Sequence, residues 1–346
     1  MSAIFLVLTG LLVAAAHYLP DSLFAFYPQF SRWILAKIGA ITGPFPFAVW
    51  EVLALILILW AIYTLVRVIR RHIGLISWLA GILLGCSIGV FLFVGLWGLN
   101  HYGPSIDTYL DLEVGTYRVD QLEEATRYYA QTASQLADQV QRDEQGIVRF
   151  SDFSVLAGQA TKGYEMLAQE YDCFTGKLSK PKKLASWYLF SHFGTTGIFI
   201  PFTAESCVNP DTFVASIPYT MCHELAHRQA VAAEDEANFC AFLACAENPS
   251  LEFRYSGYYS AFIYCYNALH KVDPDAADAV WAEISDNLKA DCQAANAHYA
   301  QYEGKVQEAA QKVNDTYLKA FSQTEGVQSY GQVADLLIAW YLEKLI

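Results

Sequence analysis

Hydrophobic positions fall along this chain in two regimes. Over the first hundred residues they form three nearly unbroken apolar stretches, Ile4 to Leu19, Val49 to Val66 and Ile76 to Leu99. Beyond about residue 105 they recur three and four positions apart, the period of an amphipathic helix. The second and third stretches hold almost no charge over about 18 or more residues, enough to cross roughly 30 Å of hydrocarbon. Both are read as spanning helices. The first is shorter and ends in Ala14-Ala15-Ala16, which would suit signal cleavage, but it lacks the positive flank of a signal peptide and is read as a third, uncleaved span. The expected architecture is mainly α: a transmembrane region over residues 1–100, spans about 4–19, 49–66 and 76–99, then a mostly helical domain over 101–346.

Within that domain the periodicity predicts helices at Leu122 to Val140, Phe153 to Tyr171, Tyr219 to Ala233, Glu236 to Cys245, Tyr255 to Val272, Ala276 to Tyr302, Val306 to Phe321 and Gly331 to Ile346. The exception is Gly197 to Phe202, a short β-rich run halted by Pro201, which fits an edge strand. The aromatic-rich stretch Tyr255 to Tyr266 suits either the core or a membrane surface. Gly81, Gly85 and Gly89, four apart in the third stretch, suit packing against another helix.

Charge changes the picture. The first hundred residues carry five basic and two acidic side chains, and the rest of the chain 17 basic and 33 acidic. A domain so acidic repels phosphate backbones, which argues against nucleic acid as a partner. Arg67, Arg70 and Arg71 lie between the second and third stretches. By the positive-inside rule that loop is cytoplasmic, so the protein is expected to be a multi-pass cell-membrane protein whose large domain is extracytoplasmic. Seven of the eight cysteines fall in that domain without CxxC spacing. They read equally as partial disulfide partners or as buried small hydrophobes.

The chemistry centres on His223-Glu224-Leu225-Ala226-His227. Histidines four apart on a helix project from one face about 6 Å apart along the axis, so both rings can reach one ion, here expected to be Zn2+. Glu224 projects to the adjoining side, where a carboxylate can deprotonate a zinc-bound water without itself ligating. A third ligand is offered by Glu234-Asp235-Glu236-Ala237-Asn238. On a continuous straight helix Glu234 would lie about 10 Å beyond His227. The chain must therefore turn between Arg228 and Ala233, and a second helix must begin near Glu234.

HExxH followed by a Glu that opens a second helix, with Asp or Asn four residues on, resembles the gluzincin metallopeptidases, of which thermolysin is the familiar member. That resemblance implies a zincin-like fold with His223, His227 and Glu234 as zinc ligands, Glu224 as catalytic base, and Asn238 in place of the acid that orients a ligand histidine. The string Glu236 to Phe242 is also similar to the matching helix of small gluzincins that cleave phage repressors, and Glu236 is the alternative ligand. More of the chain resembles a bacterial family of three-span membrane proteins known only as a domain of unknown function. The resemblance rests on three N-terminal spans, Ile200 to Glu205, HELAH with EDEAN, Tyr317-Leu318-Lys319 and Gly326 to Gly331. Members commonly carry glycine where this chain has Ala230, so the turn is expected elsewhere or with ordinary backbone angles. Arg228, charged and next to the second histidine, also departs from the zincin pattern.

Gluzincins hold substrate beside an edge strand, which makes Gly197 to Phe202 either a peptide-binding edge or a purely structural strand. Tyr330, or else His192, is the candidate donor to a transition-state oxyanion. Glu205 is either a binder of a substrate amine or an exposed loop acid. The expected function is a membrane-anchored zinc metallopeptidase acting on a peptide or protein substrate, with the lipid bilayer its other partner. A catalytically silent zinc-binding sensor or scaffold, and a hydrolase of a non-peptide amide, are the alternatives.

Overall fold

The computed structural model describes residues 1–320 and 330–345. Helix α1 (Ser2–Tyr18) has 17 residues, or roughly 26 Å, short of a ~30 Å hydrocarbon core. Leu19 leaves helical angles at φ −134° and ψ 45°, and Pro20 restarts the chain as α2 (Pro20–Phe24), followed by α3 (Tyr27–Thr42). The α1 axis bends by 103° into this following unit, a broken span or re-entrant loop. Among the described residues two helices are by themselves long and apolar enough to cross a membrane, α4 (Val49–Ile69) and α5 (Leu75–Leu96). The expected three straight spans are thus two, and the cause is the break at Leu19-Pro20.

Helix α3 is a surface element that the apolar stretches do not announce. It buries the stripe Tyr27, Ser31, Leu35, Gly39 and Thr42, spaced four, four, four and three apart as one helical face requires. Beyond Gly81, Gly85 and Gly89 of α5 lies open space among the described residues. The expected close helix packing through these glycines is therefore not seen, and α5 meets α1 elsewhere, at Phe5–Phe91 and Leu12–Gly95.

The large domain runs through α6 (Ile106–Leu110), α7 (Val119–Ala137), α8 (Phe153–Gln159), α9 (Lys162–Leu167) and α10 (Trp187–His192). It continues with α11 (Ile217–Arg228), α12 (Glu234–Ala246), α13 (Leu251–Val272), α14 (Pro274–Glu283), α15 (Asp286–Ala300), α16 (Lys305–Ala320) and α17 (Tyr330–Trp340). Helices α7, α11, α12, α13 and α17 enclose the main core. Tyr255, Tyr259 and Phe262 of α13 are buried there, which assigns the aromatic stretch to the core.

Two expected helices are each two. The segment Phe153 to Tyr171 breaks at Ala160-Thr161, between α8 and α9, and Gly163 in the first turn of α9 sits against the backbone of α12. A Cβ there would lie 1.8 Å from the Ala244 carbonyl oxygen. The segment Ala276 to Tyr302 breaks because Ser285 caps α15, its side chain accepting from Leu288 N–H.

A small sheet joins the membrane elements to the domain. Strand β1 (Lys182–Lys183) lies parallel to β3 (Glu205–Val208), and β2 (Gly197–Ile200) lies antiparallel to it, in the order β1-β3-β2. Glu205 is neither an exposed acid nor turned toward a ligand. It is buried and ion-paired to Lys182 Nζ at 2.6 Å. Its two oxygens also accept the N–H groups of Val49 and Trp50 at 2.8 and 2.9 Å, at the first turn of α4. An acid beside those unpaired amides suits the helix dipole. Lys182 Nζ further donates to the carbonyls of Thr42 and Phe47. Glu205→Ala would strand a buried ammonium and uncap α4, so we expect it to lower unfolding free energy by about 3–5 kcal/mol, read by denaturant titration in detergent. A loss under about 1 kcal/mol would contradict this role.

Candidate metal centre

Helix α11 begins with Pro218 in its first turn, where the missing N–H costs nothing, and ends at a tight reversal. Ala230 takes φ 71°, Val231 N–H reaches back to Ala226 O at 3.2 Å and Ala230 N–H to His227 O at 3.1 Å. These are the two bonds of a Schellman turn. The turn therefore sits at Ala230 and is left-handed, contrary to the expectation that alanine would push it elsewhere or into ordinary angles. Both bonds, and the one Val231 makes to His227, hold alanine in a region that glycine would enter at less cost.

The reversal lets α12 open at Glu234 facing α11. His223, His227 and Glu234 come together, one ligand atom from each lying within 4.8 Å of the others. The two Nε2 atoms are 3.1 Å apart, and Glu234 oxygens lie 3.2 Å from His223 Nε2 and 3.7 Å from His227 Nε2. Four ligands at ~2.0–2.1 Å around a tetrahedral ion lie about 3.3 Å apart, so the spacing fits zinc.

The remaining ring nitrogens fix which atoms are free to ligate. Val231 O lies 2.9 Å from His227 Nδ1 and can only accept, so that nitrogen carries hydrogen. Asn238 Oδ1 lies 2.9 Å from His223 Nδ1 and sets the same tautomer. Tyr219 O–H holds Asn238 in turn, donating to its carbonyl at 2.8 Å. Two Nε2 lone pairs then face each other and need a shared cation, a proton or a metal.

Electrostatics agrees. Burial, the largest influence, would depress His223, but the bond and charge of Glu234, the charge of Glu224 and the Asn238 bond together raise the imidazole to about 8. Burial lowers His227 to about 4. Glu234 would rise on burial, yet the histidines, His227 foremost, hold it down at about 2. Of the two imidazoles, His223 is thus the one whose protonation its surroundings favour.

Glu224 sits beside this cluster, buried, and burial pushes its carboxyl up to about 8. Its Oε2 has no hydrogen-bond partner among the described residues. Strand β2 closes over the other side, where a Cβ on Gly197 would lie 2.4 Å from Glu224 Oε1. Only glycine lets the edge strand pass so near the carboxylate.

Glu236 faces elsewhere. It lines a cleft with Arg32, Tyr109, Cys173 and Ala230, and burial raises it to about 8 although it accepts the Ile106 N–H. Arg228 is buried with its guanidinium turned to α3, Nη2 donating to Leu35 O and Lys177 O at 3.4 and 3.3 Å. Gly39 makes room for it, since a Cβ there would lie 2.4 Å from Nη2. His192 packs between the rings of Tyr188 and Tyr302 at the end of α10. Tyr330 opens α17, and its side chain lies outside the described residues, as does most of Gly326 to Gly331.

Two residues at the site escaped the sequence reading. Trp97, the first residue past α5, donates its Nε1–H to His227 O at 2.7 Å and stands edge-on to the His227 ring at 5.8 Å. His101 packs against Trp97. Burial holds it near 4, and it feels the charges of His227 and Glu234. The signal for both was position, since polar and aromatic residues just past an apolar span are placed to meet whatever domain follows. All eight cysteines are free thiols, six of them buried.

The structure thus defines a mainly helical protein with two helices apolar enough to cross a membrane and a His-His-Glu cluster beside a buried carboxylate. Residues 26–338 match the family described as "Protein of unknown function (DUF3810)", and the chain belongs to it. No curated protein and no solved structure matches the chain.

We expect Ala230→Gly to raise unfolding free energy by up to about 1 kcal/mol, as relief of left-handed strain exceeds glycine's added entropy. Equilibrium unfolding in detergent measures it, and a loss of stability would show that the turn is unstrained.

Proposed function

We propose that this protein is a membrane-anchored zinc metallopeptidase of gluzincin type, with a zincin-like domain on the extracytoplasmic side of the cell membrane. The observation that carries the reading is the convergence of two imidazole lone pairs and the Glu234 carboxylate next to an unpartnered buried Glu224 oxygen. When bound, zinc supplies a Lewis acid that acidifies water and polarises a carbonyl. His223, His227 and Glu234 would hold it. Glu224 takes the proton of the attacking water and later delivers it to the leaving amine, the general base and then general acid of amide hydrolysis. Strand β2 offers its outer edge to an extended substrate, which places a peptide bond next to Glu224. His101, kept neutral by burial, shares the space around His227 and Glu234 and takes the place of His192 as candidate donor to the developing oxyanion. The Arg67, Arg70 and Arg71 loop between α4 and α5 sets the orientation.

The test is purified full-length protein loaded with zinc and incubated with a peptide library. Glu224→Gln is expected to keep its zinc and lose at least about a hundredfold in cleavage; equal cleavage by both forms would end the hydrolase reading and favour a silent zinc scaffold.

Ligand assignment is tested separately by metal titration. Glu234→Ala should lose zinc binding and Glu236→Gln retain it, the reverse pattern assigning the alternative register. Because zinc must displace the proton on His223, whose imidazole titrates at about 8, affinity should rise with pH up to that value and fall up to about tenfold per unit below it. Calorimetry in buffers of different ionisation enthalpy would detect the released proton.

A further inference from the structure

Resting on the peptidase reading and on α4 and α5 crossing a bilayer, we infer that the site is held at the bilayer interface and takes substrate segments that emerge directly from the membrane. Helices of 21 and 22 residues are roughly 32–33 Å long, so both ends of each must reach the edges of a ~30 Å core. The beginning of α4 and the end of α5 share one side, and it is the side that carries the metal centre.

Three contacts fix the depth. Trp97, one residue past α5, is hydrogen-bonded to the carbonyl of His227. Phe202, in the turn after β2, meets Phe93 with ring centroids 6.4 Å apart, and Phe93 lies within the last turn of α5. Glu51, in the first turn of α4, accepts the N–H groups of Ala185 and Ser186 at 3.0 and 2.8 Å, which ties the start of α10 to the start of α4. The side chains left outside are apolar or aromatic: Phe202 is 47% exposed, Tyr188 59%, Leu189 55% and, on the outer face of α3, Trp33 55%. Lys37 lies over the Trp33 ring, an ammonium on an apolar stem as at a headgroup layer. Aromatic side chains at this level, continuous with the two apolar helices, match a lipid interface. The occupant of this collar is the outer-leaflet lipid itself.

The strand supplies the length scale. Gly197 lies against Glu224 and Phe202 against α5, so β2 and its turn lead from the carboxylate to the membrane in about five residues, or ~17 Å. A substrate laid along this edge has its scissile bond at Glu224 and its chain entering lipid near Phe202. The substrate class is therefore the juxtamembrane segment of a membrane-anchored polypeptide, cut within about five residues of its anchor.

Two readouts test this on the full chain in phosphatidylcholine vesicles. The first needs no activity: photoreactive benzoylphenylalanine replaces Phe202, Tyr188 or, as control, exposed Asp278 of α14, a helix that packs on α13 and α7. Illumination should give lipid adducts at positions 202 and 188 and none at 278. Absence of adducts at both 202 and 188 overturns the interfacial placement. The second compares zinc-loaded protein on one peptide sequence, either free or attached to a single membrane-spanning helix. At least tenfold faster cleavage of the anchored form, within about five residues of the helix, supports the substrate class. Equal rates, or cuts more than about ten residues out, overturn it. If neither form is cut although the adducts form, the hydrolase reading falls and the substrate class with it, while the lipid collar stands.

Discussion

The reversal between Arg228 and Ala233 is the constraint on which the site depends. Two histidines on one helix can be brought together by helical spacing alone, but the third acid cannot, because it lies about 10 Å too far along a continuous axis. The Schellman bonds from Ala230 and Val231 stop α11 within one residue of Arg228, and the same turn aims the Val231 carbonyl at His227 Nδ1. One local motif thus ends the helix, orients a ligand ring and returns the chain so that Glu234 faces both imidazoles. Left-handed alanine is the cost of doing this without glycine, about 1–2 kcal/mol.

The membrane-side elements are part of the site's framework. Trp97 adds a second donor to the His227 carbonyl in the turn that ends α11, Leu35 and Gly39 of α3 receive the Arg228 guanidinium, and Glu205 binds the sheet to the first turn of α4. These contacts join α11, β3, α3, α4 and α5 through buried polar groups, which lose their partners if either side is removed. Apolar contact adds to this, since Leu35, Trp97, Phe199, Ala204 and Ala232 form one cluster across the junction. The expected division after residue 100 is therefore a change in composition more than a seam in packing.

What could be read from residues alone follows from how local each cause is. Helix α11, its ligand spacing, the start of α12 at Glu234 and the edge strand at Gly197 all rest on patterns within a few residues. Leu19-Pro20 and Ser285-Asp286 carry local signals, a helix breaker and a cap, that a reading by hydrophobicity and helical period passes over. The break between α8 and α9 was not legible, and the close neighbour of Gly163 just beyond it, the Ala244 carbonyl, lies some eighty residues away. Glu205 looked like a loop acid because its partners, Lys182 and the amides of α4, are distant in sequence. His101 and Trp97 belonged to the apolar regime and became site residues only through tertiary packing.

The same geometry bears on how electrophilic a bound metal would be in the proposed centre. Both ligand histidines are backed by neutral acceptors, an amide oxygen on His223 and a peptide carbonyl on His227. A carboxylate in the place of Asn238 would make His223 a more basic ligand and return more charge to the ion. With amide and carbonyl partners, two imidazoles and the single charge of Glu234 would leave a divalent ion one positive charge, beside the Glu224 carboxyl that burial holds up at about 8. Arg228 adds nothing to that balance, since its guanidinium points to α3 and the carbonyls of Leu35 and Lys177. In the proposed peptidase, Asn238 in the place of an acid would shift the centre toward stronger polarisation of a bound carbonyl. The His223 ring is oriented by the Asn238 amide oxygen itself, and Tyr219 O–H bonds the backbone carbonyl of the same residue and, at 3.4 Å, that amide oxygen.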